Sequence, residues 1–170
     1  MKIKKVLKFS IIFFLAGMAA FFMLGVVRSS VTGTTQITVN APVEQCWKLL
    51  NDTSLIQQWL PSVKSINKIE GEENAYQLIL VRGEKEIQVT EKVIVLNKNE
   101  KLVLMMDSEI FTSNIAITLQ AKGNTTTIDI KQKIVAKSMM LRSIFALSSG
   151  SIQKDVEETY LRLKDVIEKN

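Results

Sequence analysis

A single acidic residue, Glu91, stands in an otherwise apolar alternation that predicts the inner face of a β-strand. Counting by twos, Glu91 shares that face with Ile87, Val89, Val93 and Val95. A carboxyl group that faces an apolar interior has a raised pKa, so it can orient a ligand or act as a general acid or base. The alternative is a β-bulge or a strand end that turns Glu91 towards water.

Three further side chains are candidates for ligand binding. Gln132 lies between Ile130 and Ile134 in a second alternating segment, where its amide can meet a ligand or bond to a neighbouring strand. Tyr76 begins another apolar strand face. Trp59 is a candidate for the edge of a cavity opening, and simple packing is its alternative.

An apolar cluster near the C-terminus contains three more candidates, Met140, Ile144 and Phe145. Methionine fills irregular space, so this cluster can line an adaptable cavity mouth. The same side chains can instead belong to the core of the domain.

The sequence has one cysteine, Cys46, and no histidine. One thiol cannot form an internal disulfide, and the usual zinc and transition-metal sites need more His or Cys ligands. Ser-His-Asp and Cys-His catalysis within one chain are excluded. We therefore expect no metal and no cofactor, and we expect Cys46 to be an inert buried thiol on the inward side of a helix.

The net charge of +5 comes from the N-terminal segment. Five of the 22 basic residues and none of the acidic ones lie in residues 1–28, which leaves 17 basic against 17 acidic residues in the rest of the chain. A neutral domain of this kind gives no support to nucleic-acid binding.

Residues 9–27 contain no charged side chain. This length is close to the ~20 residues that a helix needs to cross the hydrocarbon layer. Because the lysines lie before the segment, the positive-inside rule predicts a single-pass anchor with its N-terminus in the cytoplasm and the domain outside. A cleaved signal peptide, which would release a secreted domain, is the alternative. We assign residues 1–28 to the anchor or signal segment and the polar residues 29–33 to a flexible linker.

The remaining residues, 34–170, predict one α+β domain. A strand is followed by a helix that starts near Pro42 and by a second helical turn that Pro61 ends. Six strands with short turns then form an antiparallel meander. A long amphipathic helix completes the chain, and its weak helix formers at 148–151 predict a kink or break.

This order of elements, together with the segments ITVNAPVEQCWKLLND at 37–52 and WLPSVK at 59–64, resembles the START-like SRPBCC superfamily. That superfamily includes polyketide cyclases/dehydrases and lipid-transport proteins. The resemblance implies a helix-grip fold, in which the long helix lies across a curved sheet and leaves a cavity between them. Many members hold a hydrophobic ligand there, and some are enzymes.

The sequence is compatible with three functions. The favoured one is membrane-tethered binding of a lipid or another hydrophobic small molecule, with the bilayer and that molecule as partners. The second is a cyclase or dehydrase that uses Glu91 as acid or base; the lack of His and of clustered acids favours a non-enzyme. The third is a cavity-poor domain that binds another protein of the cell envelope.

Overall fold

The computed structural model describes the backbone of residues 2–169 and the side chains of residues 7–169. Met1 and Asn170, which begin the predicted anchor and end the predicted domain, lie outside the described residues. The described part contains, in chain order, α1 Lys2–Val27, β1 Ser30–Val39, α2 Val43–Asn51, α3 Ile56–Trp59, β2 Val63–Lys68, β3 Ala75–Arg82, β4 Lys85–Asn97, β5 Lys101–Ser108, β6 Phe111–Lys122, β7 Thr125–Ala136, α4 Met139–Leu147 and α5 Ser149–Lys169.

The seven strands form one antiparallel sheet in the order β1-β7-β6-β5-β4-β3-β2. Strands β2 to β7 therefore pair with their neighbours in sequence, and β1 closes the far edge against β7. Gly83 and Gly123 start the two-residue turns after β3 and β6 with φ of 63° and 62°, a conformation that glycine adopts without a Cβ clash. The sheet and the long C-terminal helix confirm the predicted helix-grip fold.

Helix α5 covers the inner face of the sheet because its apolar residues recur along one side. Tyr160, Leu163 and Ile167 from this side are buried. They meet a sheet face whose apolar side chains are also buried, among them Leu78, Val89, Ile117, Ile128 and Ile130. Each fully buried aliphatic side chain of this type contributes about 1.5–3 kcal/mol to folding.

Two hydrogen bonds fix α2 to one end of this grip. Thr126 Oγ1 donates to the Ala41 carbonyl oxygen at 2.8 Å, in a buried position just before α2. Gln45 Nε2 donates to the Ile167 carbonyl oxygen at 2.9 Å and ties α2 to the last turn of α5. Helix α3 follows α2 and packs on α5 through the stacking of Trp59 on Tyr160, so the two short helices form an end wall.

The sheet begins earlier in the chain than the sequence predicts. The predicted linker covers 29–33, whereas β1 starts at Ser30 and pairs Ser30 opposite Val135 of β7. The polar residues of this segment gain ladder hydrogen bonds along β7, and an extended edge strand accommodates Ser, Thr and Gly there. The strand consequently follows α1 almost directly.

One helix of the described chain, over Leu7–Val27, is long and apolar enough to cross a membrane, and nearly all of its side chains are exposed. Its C-terminal part packs on α4, where a Cβ added to Gly25 would lie 2.6 Å from Ser143 Oγ. The predicted interruption of the C-terminal helix is present at Ser148, which separates α4 from α5. Helix α4 thus connects the apolar helix to the domain.

Candidate functional site

A cavity of about 580 Å³ lies between the sheet and α5, with α3 at one end. Its walls are mostly aliphatic and come from several strands and from α5; they include Leu80, Ile87, Leu104, Ile115, Ile117 and Val156. The strand residues of this wall come from β3 to β7, mostly from their inward sides, so the alternating pattern of these strands supplies the apolar wall.

Glu91 faces this cavity and is 6% exposed. A bulge is present in β4, as one reading of the sequence allows, but it lies between Val93 and Val95, beyond Glu91. Glu91 therefore keeps its inward orientation, while the residues after the bulge change sides. Leu96 lines the cavity in the place that simple alternation assigns to Val95.

Neighbouring strands bring two residues directly beside Glu91. Tyr76 lies opposite it on β3, and Met106 lies opposite it on β5. Burial raises the pKa of the Glu91 carboxyl from 4.5 to about 7, because desolvation disfavours the carboxylate. Within the described residues its carboxyl group has no hydrogen bond and no ion pair. Its polar atoms are available to a ligand.

Tyr160 of α5 belongs to the same site. It is buried, and its pKa is raised by burial and also by the negative charge of Glu91. The sequence indicates Tyr160 only as one member of the apolar stripe of the last helix. Its phenol is the one polar tip in that stripe, and this is the signal that could have identified it.

Trp59 lines the cavity from α3 and is 7% exposed. Its ring stacks on Tyr160, with centroids 6.4 Å apart. The indole Nε1 is buried and has no hydrogen-bond partner in the described chain. The residue combines the two roles weighed from the sequence, since it packs in the core and also forms part of the cavity wall.

Gln132, Phe145 and Tyr76 also line the cavity. Gln132 Nε2 donates to Ser113 Oγ on the neighbouring strand at 3.1 Å, which leaves Gln132 Oε1 as a free acceptor. The hydrogen bond to a neighbouring strand is thus present, and contact of the Gln132 amide with a ligand stays a prediction. Phe145 reaches the cavity from α4, so this helix contributes to the wall as well as to the contact with α1.

Met140 and Ile144, the other two candidates, lie outside the cavity wall. They are 54% and 41% exposed, because the inward side of α4 is occupied by Ser143 and Ala146, which are buried. With Leu147 they recur at i, i+4 and i+7 and form an exposed apolar side of α4, the helix that also contacts α1. The sequence interpretation placed all three candidates at the cavity mouth. In the structure only Phe145 of this cluster lines the cavity.

Charged side chains occur at the rim. Arg82 Nη2 forms an ion pair with Asp155 Oδ2 at 3.1 Å, and both side chains are mostly exposed. Exposed pairs of this kind stabilise by only about 0–1 kcal/mol. Arg162 of α5 also lines the rim, where its Nε donates to the Glu158 carbonyl oxygen at 3.3 Å. The Arg82–Asp155 ion pair therefore adds little to the stability of the rim.

Cys46 lies away from these groups and is fully buried. Burial raises its pKa, which keeps the thiol protonated and unreactive. In the part of the chain with described side chains, no group of three His, Cys, Asp or Glu residues is arranged to hold a metal ion.

Solved structures of other proteins superpose on this domain and share its fold. A START superfamily protein from Mycobacterium smegmatis superposes with a TM-score of 0.64 at 14% identity, over 82% of this chain and 98% of that one. A conserved protein from Geobacillus kaustophilus gives a TM-score of 0.69 at 17% identity, over 82% and 96%. Similarity at these identities shows the fold alone.

No curated protein matches this sequence. The family described as polyketide cyclase / dehydrase and lipid transport matches residues 30–168, which is nearly the whole domain and excludes all of α1. Its range starts at the first residue of β1. The chain therefore belongs to the polyketide cyclase/dehydrase and lipid transport family.

Proposed function

We propose that this protein is a membrane-tethered binding protein that holds a lipid or another hydrophobic small molecule between its sheet and α5. The observation that carries the proposal is the cavity of about 580 Å³ with its mainly aliphatic walls. Cavities of about 300–1,000 Å³ with apolar walls and a few polar groups are typical of small-molecule sites. Family and fold support the same kind of ligand.

Burial of the ligand would supply most of the affinity, at about 25 cal/mol for each Å² of apolar surface removed from water. Few polar contacts are needed, since polar groups mainly fix orientation. Glu91, Tyr160 and Gln132 provide such groups on different parts of the wall.

The tether in this proposal is α1. Its apolar stretch Leu7–Val27 is long enough to cross the hydrocarbon layer, and lysines precede it, so the domain would lie outside the cytoplasm. The close approach of Gly25 to Ser143 supports an uncleaved anchor, because the same helix that meets α1 also supplies Phe145 to the cavity wall.

The exposed apolar side of α4 fits this arrangement. Met140, Ile144 and Leu147 are exposed next to the end of α1, where a tethered domain meets the bilayer. Apolar side chains on an interfacial helix bind the boundary between head groups and acyl chains. A lipid would then enter the cavity past α4 without crossing bulk water.

Enzymatic activity is the second candidate, and the state of Glu91 favours it. A carboxyl with a pKa of about 7 can give or take a proton near neutral pH, and Tyr160 lies close enough to feel its charge. An enzyme would release a changed molecule from wild type and retain the unchanged one in Glu91→Gln. A pure binding protein would yield the same molecule from both.

The third possibility, a cavity-poor interaction domain, loses its premise because the domain contains the cavity described above.

Photo-crosslinking of the full chain in lipid nanodiscs tests the binding function. The probe is a long-chain alcohol with a diazirine in its chain, and labelled peptides are identified by mass spectrometry. We expect labelling within Leu102–Met106 of β5, whose inward side chains line the cavity. The variant Leu104→Trp fills the cavity and should remove this labelling.

Met105→Trp is the matched control, because Met105 is the next residue on β5 and its side chain is 37% exposed on the other face. It should leave the labelling unchanged. Labelling that is confined to α1 and α4 in every protein would contradict the proposal, since it would place the probe only in the bilayer.

A further inference from the structure

The interior of the cavity is rich in hydrogen-bond acceptors and has no buried cation among its described lining residues. Glu91 and Gln132 Oε1 are acceptors, and the Tyr160 hydroxyl can accept as well as donate. Neither the Glu91 carboxyl nor the Tyr160 hydroxyl has a partner within the described chain. Polar groups in an apolar interior are normally paired, and a ligand that donates a hydrogen bond would supply a partner to these two. The one buried N–H donor of the described lining without a partner is the indole of Trp59 at the end wall, and this neutral group cannot neutralise an anion.

Two titratable side chains face Glu91 within the cavity. Tyr76 faces it from β3 and Tyr160 from α5. The cations of the lining, Arg82 and Arg162, are exposed at the rim, and Arg82 is already paired with Asp155. An anion that entered the interior would therefore lose its water shell without gaining a cation.

We infer that the ligand has a non-anionic polar end that donates a hydrogen bond to Glu91, as an alcohol or an amine does, and that the cavity discriminates against carboxylates. This inference rests on the proposed binding function and names the chemical class of its ligand. When Glu91 is ionised, a carboxylate ligand would place a second negative charge beside it in an apolar cavity, and the two charges would repel. A hydroxyl or ammonium group meets an acceptor instead.

Three molecules with the same alkyl chain test the inference: octanol, octylamine and octanoate. The full chain is labelled with fluorotryptophan and placed in phosphatidylcholine nanodiscs. Its two tryptophans give an internal control, because Trp59 lines the cavity and Trp47 is outside the lining. Trp59→Phe assigns the two fluorine signals.

Octanol and octylamine should move the Trp59 signal at concentrations at least about tenfold below those that octanoate requires at about pH 9, because a hydrogen bond to a charged group contributes about 1.5–3 kcal/mol. Octylamine should bind more tightly at about pH 9 than at about pH 5, because Glu91 ionises between these values while the amine stays cationic. The Trp47 signal should remain in place.

Glu91→Gln keeps the shape of the side chain and removes its charge. Octylamine should lose about tenfold or more in affinity in this variant, whereas octanol keeps an amide acceptor and changes less. Octanoate that binds as tightly as octanol, or octylamine that is indifferent to both pH and Glu91→Gln, overturns the inference while binding itself stands. If none of the three molecules moves the Trp59 signal, the proposed function fails and the inference fails with it.

Discussion

The ring of Trp59 stacks on the ring of Tyr160, with centroids 6.4 Å apart and planes inclined by 27°. This contact joins α3 to α5 at the end of the cavity, and both residues line it. Stacked aromatic pairs stabilise by about 0.5–1.5 kcal/mol beyond the effect of burial. The pair therefore holds the last helix against the end wall while leaving space beneath the helix for a ligand.

Trp59→Ala should lower the free energy of unfolding by about 3–5 kcal/mol, because it removes a large buried side chain and the stacking partner of Tyr160. Trp47→Ala is the matched control, since Trp47 is only half-buried, and its cost should be clearly smaller. Urea unfolding of both variants, followed by far-UV circular dichroism, measures the difference. Equal losses in the free energy of unfolding would contradict the role of Trp59 in holding α5 against the end wall.

Glu91 should make the domain less stable as the pH rises. Its pKa is 4.5 in the unfolded chain and about 7 in the folded one, so the folded protein binds the extra proton between these values. The contribution is fully present below the unfolded pKa and is lost as the pH rises through the folded pKa. The free energy of unfolding should fall by about 3 kcal/mol across this window.

Glu91→Gln should remove this dependence, and thermal unfolding at about pH 4 and about pH 8 measures it. Glu86→Gln is a suitable control, because the Glu86 side chain is 51% exposed in its ion pair with Lys64. If the stability of wild type and of Glu91→Gln changes equally with pH, Glu91 is solvated in the folded protein.

Gly25→Val should separate α4 from α1. An added Cβ at this position would lie 2.6 Å from Ser143 Oγ and 2.7 Å from the Met139 carbonyl oxygen, so one helix must move. Hydrogen exchange measured by mass spectrometry should be faster in α4 by about tenfold or more. Gly17→Val provides the control, since nothing lies within 4 Å of its added Cβ; similar exchange in both variants would argue against a packed contact.

Much of the fold follows from local patterns in the sequence. The alternation of apolar residues identified β2 to β7, and the stripe of α5 identified the helix that covers them, because burial of one face imposes these periods. The weak helix formers at 148–151 also predicted the break that the structure has at Ser148. These features depend on residues close together in the chain.

The site was less accessible to sequence reasoning, because its geometry depends on partners distant in the chain. Alternation alone could not tell on which side of Glu91 the β4 bulge lies, and this position decides whether the carboxyl is buried. Met140 and Ile144 carry the right chemistry for a cavity wall, but the rotation of α4 on α1 directs them outward. The contribution of Tyr160 to the cavity could not be predicted, because it depends on which part of the sheet α5 covers.

The proposed function requires that the cavity hold a hydrophobic molecule. Native mass spectrometry of the full chain, purified from its host in nanodiscs, measures this directly when the bound molecule is extracted and identified. We expect one molecule per chain in wild type and in Met105→Trp, and none in Leu104→Trp. An unoccupied wild-type protein, or equal occupancy in all three, would contradict the proposed function.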